Sequence, residues 1–166
     1  MRLTAIVHDL SLALLVGGIA GVGLCANLLF ARAPSREIAG QVGNAIFGRL
    51  GPGVLVLSVA VLITSLLLHR GGAPSGRRTG LVLLAGAMVV IAAVTALWLT
   101  PRMGALWASG AHAADGSGLI GDDRSRFLVL HIISNVAYLA VMLMGAALVL
   151  LRAWGLPPQS PRGFSG

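Results

Sequence analysis

The last apolar run of the chain, "RFLVLHIISNVAYLAVMLMGAALVLL", carries a histidine, a serine, an asparagine and a tyrosine in its first half: His131, Ser134, Asn135 and Tyr138. Their spacing of i, i+3, i+4 and i+7 puts them on one face of a helix. An imidazole there can ligate a metal or haem iron or carry a proton, and the amide and phenol can orient it by hydrogen bonds. A second histidine, His8, sits in the first apolar run with Asp9 beside it and Ser11 one turn on. His8, His131, Asn135 and Tyr138 are therefore expected to line a binding interior, with haem b or copper as the cofactors such groups could take. His112-x-x-Asp115 lies in a loop rich in Gly, Ala and Asp, and it reads either as a metal-ligand pair or as a solvated loop.

The composition says what must position these groups. Of 166 residues, 57% are hydrophobic and 10% charged, and the mean hydropathy is +0.91. A soluble domain carries about 25% charged residues, so this chain has too little polar surface to cover a globule in water. The apolar residues fall into the runs 3–31, 54–68, 81–99 and 127–151, the second extending upstream to about 45. A bilayer core needs about 20 apolar residues per helix, and backbone in hydrocarbon must satisfy its own hydrogen bonds. The expected fold is an all-α integral membrane protein, one four-helix bundle over 1–155. Its helices are expected at about 3–31, 36–69 with a kink near 51–53, 80–107 and 124–153, followed by a flexible or partner-held tail at 156–166. The first run is longer than the 7–15 residues or so of a signal-peptide core and contains His8 and Asp9, so it is read as a retained span.

Four antiparallel spans put His8 and His131 about five residues in from opposite faces of the bilayer. At 1.5 Å per residue in a core of about 30 Å they stand on the order of 15 Å apart, too far to share a metal and awkward for one haem. Same-side pairings are His8 with His69, and His131 with His112 or the loop acids. The polar face of the last helix must point into the bundle or a wet cavity, because lipid contact would be costly.

A net charge of +7, all of its basic residues arginine, and a pI near 11.7 are unlike a nucleic-acid signal, because the arginines punctuate helix ends. Six lie on each side, so the positive-inside rule barely separates the orientations. The concentration in "HRGGAPSGRRTG" favours N-in and C-in in a bacterial inner membrane. Ala13, Gly17, Gly21 and Cys25 form a small-residue stripe on helix 1. Packing inside the bundle is the first reading of it, and a homodimer or contact with other membrane subunits through Gly17 and Gly21 the second. Trp107 and Trp154 fall near opposite helix ends, as an aromatic belt would place them. No HExxH, CxxC, phosphate loop or nucleophile–base pair is present, which leaves hydrolases and nucleotide-dependent enzymes without support.

"GGIAGVG…LLFARAP", "EIAGQVGNAIFGRL", "LWLTPRMGAL" and "RFLVLHIISNVAYL" together resemble the bacterial membrane family known as domain of unknown function 4149, related to eukaryotic transmembrane protein 205. The most telling pieces are Pro101 and the Phe127-x-x-x-His131 pattern. The resemblance implies a four-helix membrane fold and brings no established reaction. More distantly, His8 followed by Gly17-Gly18 is similar to the copper-resistance D and membrane protoporphyrinogen oxidase families, which place a histidine in helix 1. The oxidase pattern also expects a helical lysine, and this sequence has none. The expected function is therefore binding or moving a metal, haem or small molecule without turnover. The alternative is an accessory subunit of a larger membrane complex of electron-transfer or photosynthetic type. A porphyrinogen-oxidising enzyme is a third and weaker possibility.

Overall fold

The computed structural model describes residues 2–70, 76–114 and 118–153. It is an all-α four-helix membrane bundle. Helix α1 runs Arg2–Arg32, α2 Arg36–His69, α3 Gly76–Val94 and α5 Gly121–Ala153; a π-helical turn, Thr95–Leu99, joins α3 to α4, Thr100–Ser109. The four spans, Arg2–Arg32, Glu37–Leu68, Arg78–Ser109 and Gly121–Ala153, are each long and apolar enough to cross a membrane. At 1.5 Å per residue they are about 46–50 Å long, well beyond an apolar core of about 30 Å, so their ends reach the headgroup region or the helices tilt. The side chain of His69, Asp115, Trp154 and the tail at 156–166 lie outside the described residues.

Local sequence accounts for the breaks. Pro34 cannot continue α1, and the Ser35 hydroxyl caps α2 by accepting from the Ile38 N–H at 3.2 Å. Helix α2 then runs through Gly51-Pro52-Gly53 without interruption. The third span survives Pro101 by widening. Proline has no N–H for the Leu97 carbonyl and its ring crowds that group, and immediately before it the Thr100 N–H reaches back to the Thr95 carbonyl. This wide turn buries two adjacent pairs, Thr95 with Ala96 and Leu99 with Thr100.

The spans pack in a ring, with α1 on α2, α2 on α3, α3 on α5 and α5 back on α1, while α4 lies between α2 and α5. Leu12, Leu15, Val61, Met88, Val141 and Leu148 form the middle of the core. Gly51 lets three elements meet: a Cβ there would stand 3.3 Å from the Ala96 Cα and 3.3 Å from the Tyr138 hydroxyl. The small-residue stripe of α1 behaves differently from the expected packing inside the bundle. Gly17 and Gly21 have no atom within 4 Å of a built Cβ and Cys25 is exposed, so the stripe faces outward. The inner face of α1 is instead Leu12, Leu15 and Ile19. Large apolar side chains such as Leu24, Leu83, Leu97 and Val136 remain more than 60% exposed within the chain. That much apolar surface is tolerable only against lipid or another apolar surface.

Candidate functional site

The polar face of α5 turns inward. Ser134 and Tyr138 are buried, His131 is half-buried, and Asn135 is exposed at the edge of that face. His131 Nε2 and the Asn135 amide nitrogen are 3.2 Å apart. An amide NH2 only donates, so Nε2 accepts and the neutral ring carries its proton on Nδ1. One turn earlier, Phe127 stacks on the His131 ring with centroids 5.9 Å apart and planes at 9°. The imidazole is thus held in orientation from both neighbouring turns of its own helix.

Two cavities meet at this ring. The larger, about 440 Å³, lies towards the loop end of the bundle between α2, α4 and α5, with Asn44, Thr100, Trp107, Arg124, Phe127 and His131 in its wall. The second, about 360 Å³, lies between α1, α2 and α5 and is walled in part by Asn27, Asn135, Tyr138 and Met142. Phe30, Phe47 and His131 belong to both walls. Most of the lining is apolar, with few polar groups, as small-molecule sites tend to be.

Two of those polar groups are at best weakly satisfied by the protein. Thr100 Oγ1 and Tyr138 Oη are both buried; they lie side by side, and neither makes a well-formed hydrogen bond. Thr100 borders the larger cavity and Tyr138 the smaller. An unmade hydrogen bond on a buried hydroxyl costs about 1–3 kcal/mol, which makes the pair the least satisfied part of the site.

The outer wall is a chain of rings. Trp107 packs against Phe127 at 5.6 Å and meets His112 edge-on at 5.1 Å. His112 Nε2 donates to the Trp107 carbonyl at 2.9 Å, and a short bridge pairs His112 with Leu119. The Trp107 ring lies so close over Gly40 that a Cβ there would be 2.2 Å from its nearest carbon. This tryptophan is half-buried in a cavity wall, a different place from the outward belt position its sequence location suggests. Of the expected His112 and Asp115 pair, His112 is occupied in closing the loop and Asp115 lies outside the described residues.

His8 belongs to the other end of the bundle. It is buried against α2, where its Nδ1 and the Thr64 hydroxyl are 2.9 Å apart. That hydroxyl donates to the Ala60 carbonyl at 2.6 Å, so the imidazole N–H is the donor between the helices. A small cavity of about 150 Å³ lies beside His8, Ser65 and Arg152, and shares no lining residue with the two around His131. Asp9 forms an ion pair with Arg152, tying α1 to α5. Among the described residues, no group of three or more His, Cys, Asp or Glu side chains gathers as metal ligands. His8 and His131 lie at opposite ends and do not converge, and His112 is taken up in closing its loop.

Sequence reasoning found His131, Asn135 and Tyr138 and missed Asn27, Asn44, Thr100 and Arg124. Asn27 and Thr100 had a signal, since each is a polar residue within or at the edge of an apolar run. Asn44 and Arg124 had none, because both resemble ordinary residues of a helix entering the bilayer.

No curated protein and no solved structure is significantly similar to this chain. One family model, described as "Domain of unknown function (DUF4149)", matches residues 10–112, which carry most of α1, all of α2, the π turn, Pro101 and the tryptophan of the cavity wall. With more than half of its length matched, the chain belongs to that family.

Proposed function

We propose that the chain binds a small amphipathic organic molecule in the paired cavities around His131, without chemical turnover. The observation that carries this reading is the pair of buried hydroxyls, Thr100 Oγ1 and Tyr138 Oη, which lie together without a well-formed hydrogen bond, one beside each cavity. A ligand hydroxyl or carbonyl would complete them, His131 and Asn135 would add a second polar contact, and the Phe30 and Phe47 walls would take its apolar body. Cavities of about 440 and 360 Å³ fall within the usual range of small-molecule sites, about 300–1,000 Å³. A haem or copper centre gains less support, because among the described residues no three or more His, Cys, Asp or Glu side chains gather and His8 and His131 lie at opposite ends. His8 is assigned a structural role as the donor to Thr64.

The test is the chain purified into lipid nanodiscs, with bound small molecules extracted and identified by mass spectrometry. Wild type should retain a hydrogen-bonding compound. Tyr138→Phe with Thr100→Val should retain it roughly 5- to 150-fold less, the equivalent of two neutral hydrogen bonds at about 0.5–1.5 kcal/mol each. Equal occupancy in both proteins, or no compound in either, would refute the reading. A porphyrin absorption band or metal lost in His131→Ala would replace the organic ligand with a cofactor.

A second reading, association with another copy or a larger membrane assembly, is favoured by a separate observation: the Gly17 and Gly21 face of α1 is open. We further infer a bacterial inner-membrane location with both termini cytoplasmic, supported by Arg70, Arg77 and Arg78 clustering around one short connection.

A further inference from the structure

On the outside of the bundle, away from the His131 cavities, α4 and the start of α5 enclose an open groove of about 690 Å³. Its polar lining is Arg102, Arg126, Ser109 and Ser125; Ala105, Leu106, Val129 and Leu130 make the rest. We propose that this groove is a binding site for one anionic phospholipid, with the phosphate held between Arg102 and Arg126 and an acyl chain along the apolar wall.

Three observations carry the assignment. Both arginines stand at the same edge of the apolar core: Arg126 immediately precedes the apolar run 127–151, and Arg102 follows the run 81–99 by three residues. They sit where a headgroup phosphate lies. The Arg102 guanidinium rests over the Trp98 ring, 4.2 Å from its centroid, which holds it at the membrane edge without neutralising it. The charge complementarity is one-sided, since no carboxylate lines the groove. Asp122, one turn before Arg126, makes no ion pair with it among the described residues, and Asp123 is turned to the loop, accepting from the Ala111 N–H. Two guanidinium groups suit a phosphodiester, to which each can donate in a fork. A choline or ethanolamine cation finds no anionic partner there. The apolar wall distinguishes a lipid from a free phosphate ion.

The experiment is native mass spectrometry of the full chain released from nanodiscs of equimolar phosphatidylglycerol and phosphatidylcholine with identical acyl chains. Wild type should carry phosphatidylglycerol in preference. Arg102→Gln and Arg126→Gln should each lower that preference roughly fivefold, the weight of one basic residue near an anionic surface. Arg32→Gln, at the same end of the bundle but outside the groove, should leave it intact. Both groove arginines are exposed, so circular dichroism and gel filtration of the variants should match wild type. Equal retention of the two lipids by wild type overturns the proposal. So does an undiminished preference in the double variant, or displacement of the lipid by millimolar glycerophosphate alone. Because Thr100 and Tyr138 are untouched, failure here leaves the cavity ligand standing, and the reverse also holds.

Discussion

At the residue scale, the cavity is shaped by one glycine as much as by its polar groups. The Trp107 ring fills the space a side chain at position 40 would need, and through Phe127 it backs the His131 ring. Gly40→Ala must therefore push the indole outward. Overpacking of this kind costs about 1–3 kcal/mol, and the loss should register in reversible unfolding measured in mixed micelles. An unchanged stability would mean that Trp107 is not held in this wall. His131 and Asn135 were visible in the sequence because polar groups in an apolar helix are conspicuous. Gly40 was not, because nothing in its neighbourhood names a tryptophan 67 positions away.

At the scale of elements, the third span and the first contact surface show two ways of handling polar backbone and side chains in lipid. Pro101 would break a regular α-helix, and the π turn of Thr95–Leu99 absorbs it while keeping the span continuous. The widened turn brings Thr100 to the cavity and Ala96 against Gly51. Between α1 and α2 the link is the hydrogen bond from His8 to Thr64. A double-mutant cycle of His8→Ala with Thr64→Val should give a coupling of about 0.6 kcal/mol, the average for hydrogen bonds between membrane helices. A coupling of zero would remove His8 from its structural role.

For the whole molecule, the open stripe and the arginine pattern have consequences that no single helix carries. Gly17→Leu with Gly21→Leu adds bulk where nothing lies within 4 Å. The monomer should keep its stability, while self-association, read by energy transfer between labelled copies in vesicles, should fall several-fold. Loss of folding in that variant would mean that the stripe packs within the chain after all. For orientation, a cysteine introduced in the 70–75 connection of a Cys25→Ser background should resist a membrane-impermeant thiol reagent added outside intact cells. One placed at Ala111 should react. The reverse pattern would invert the assigned topology.

The sequence by itself determined the class, the number of spans and the start of α2, because these depend on totals and short-range rules: apolar length against bilayer thickness, and a serine cap after a proline. It also pointed the α5 polar face inward, since exposing it to lipid is costly, and Ser134 and Tyr138 are buried there while Asn135 is exposed. Only the tertiary structure decided which groups that face would meet. It turned the glycines of α1 outward, set His8 and His131 in separate cavities, and left Thr100 and Tyr138 side by side without a well-formed hydrogen bond. Each of these follows from how the helices rotate against one another, which packing between distant residues fixes and local spacing does not.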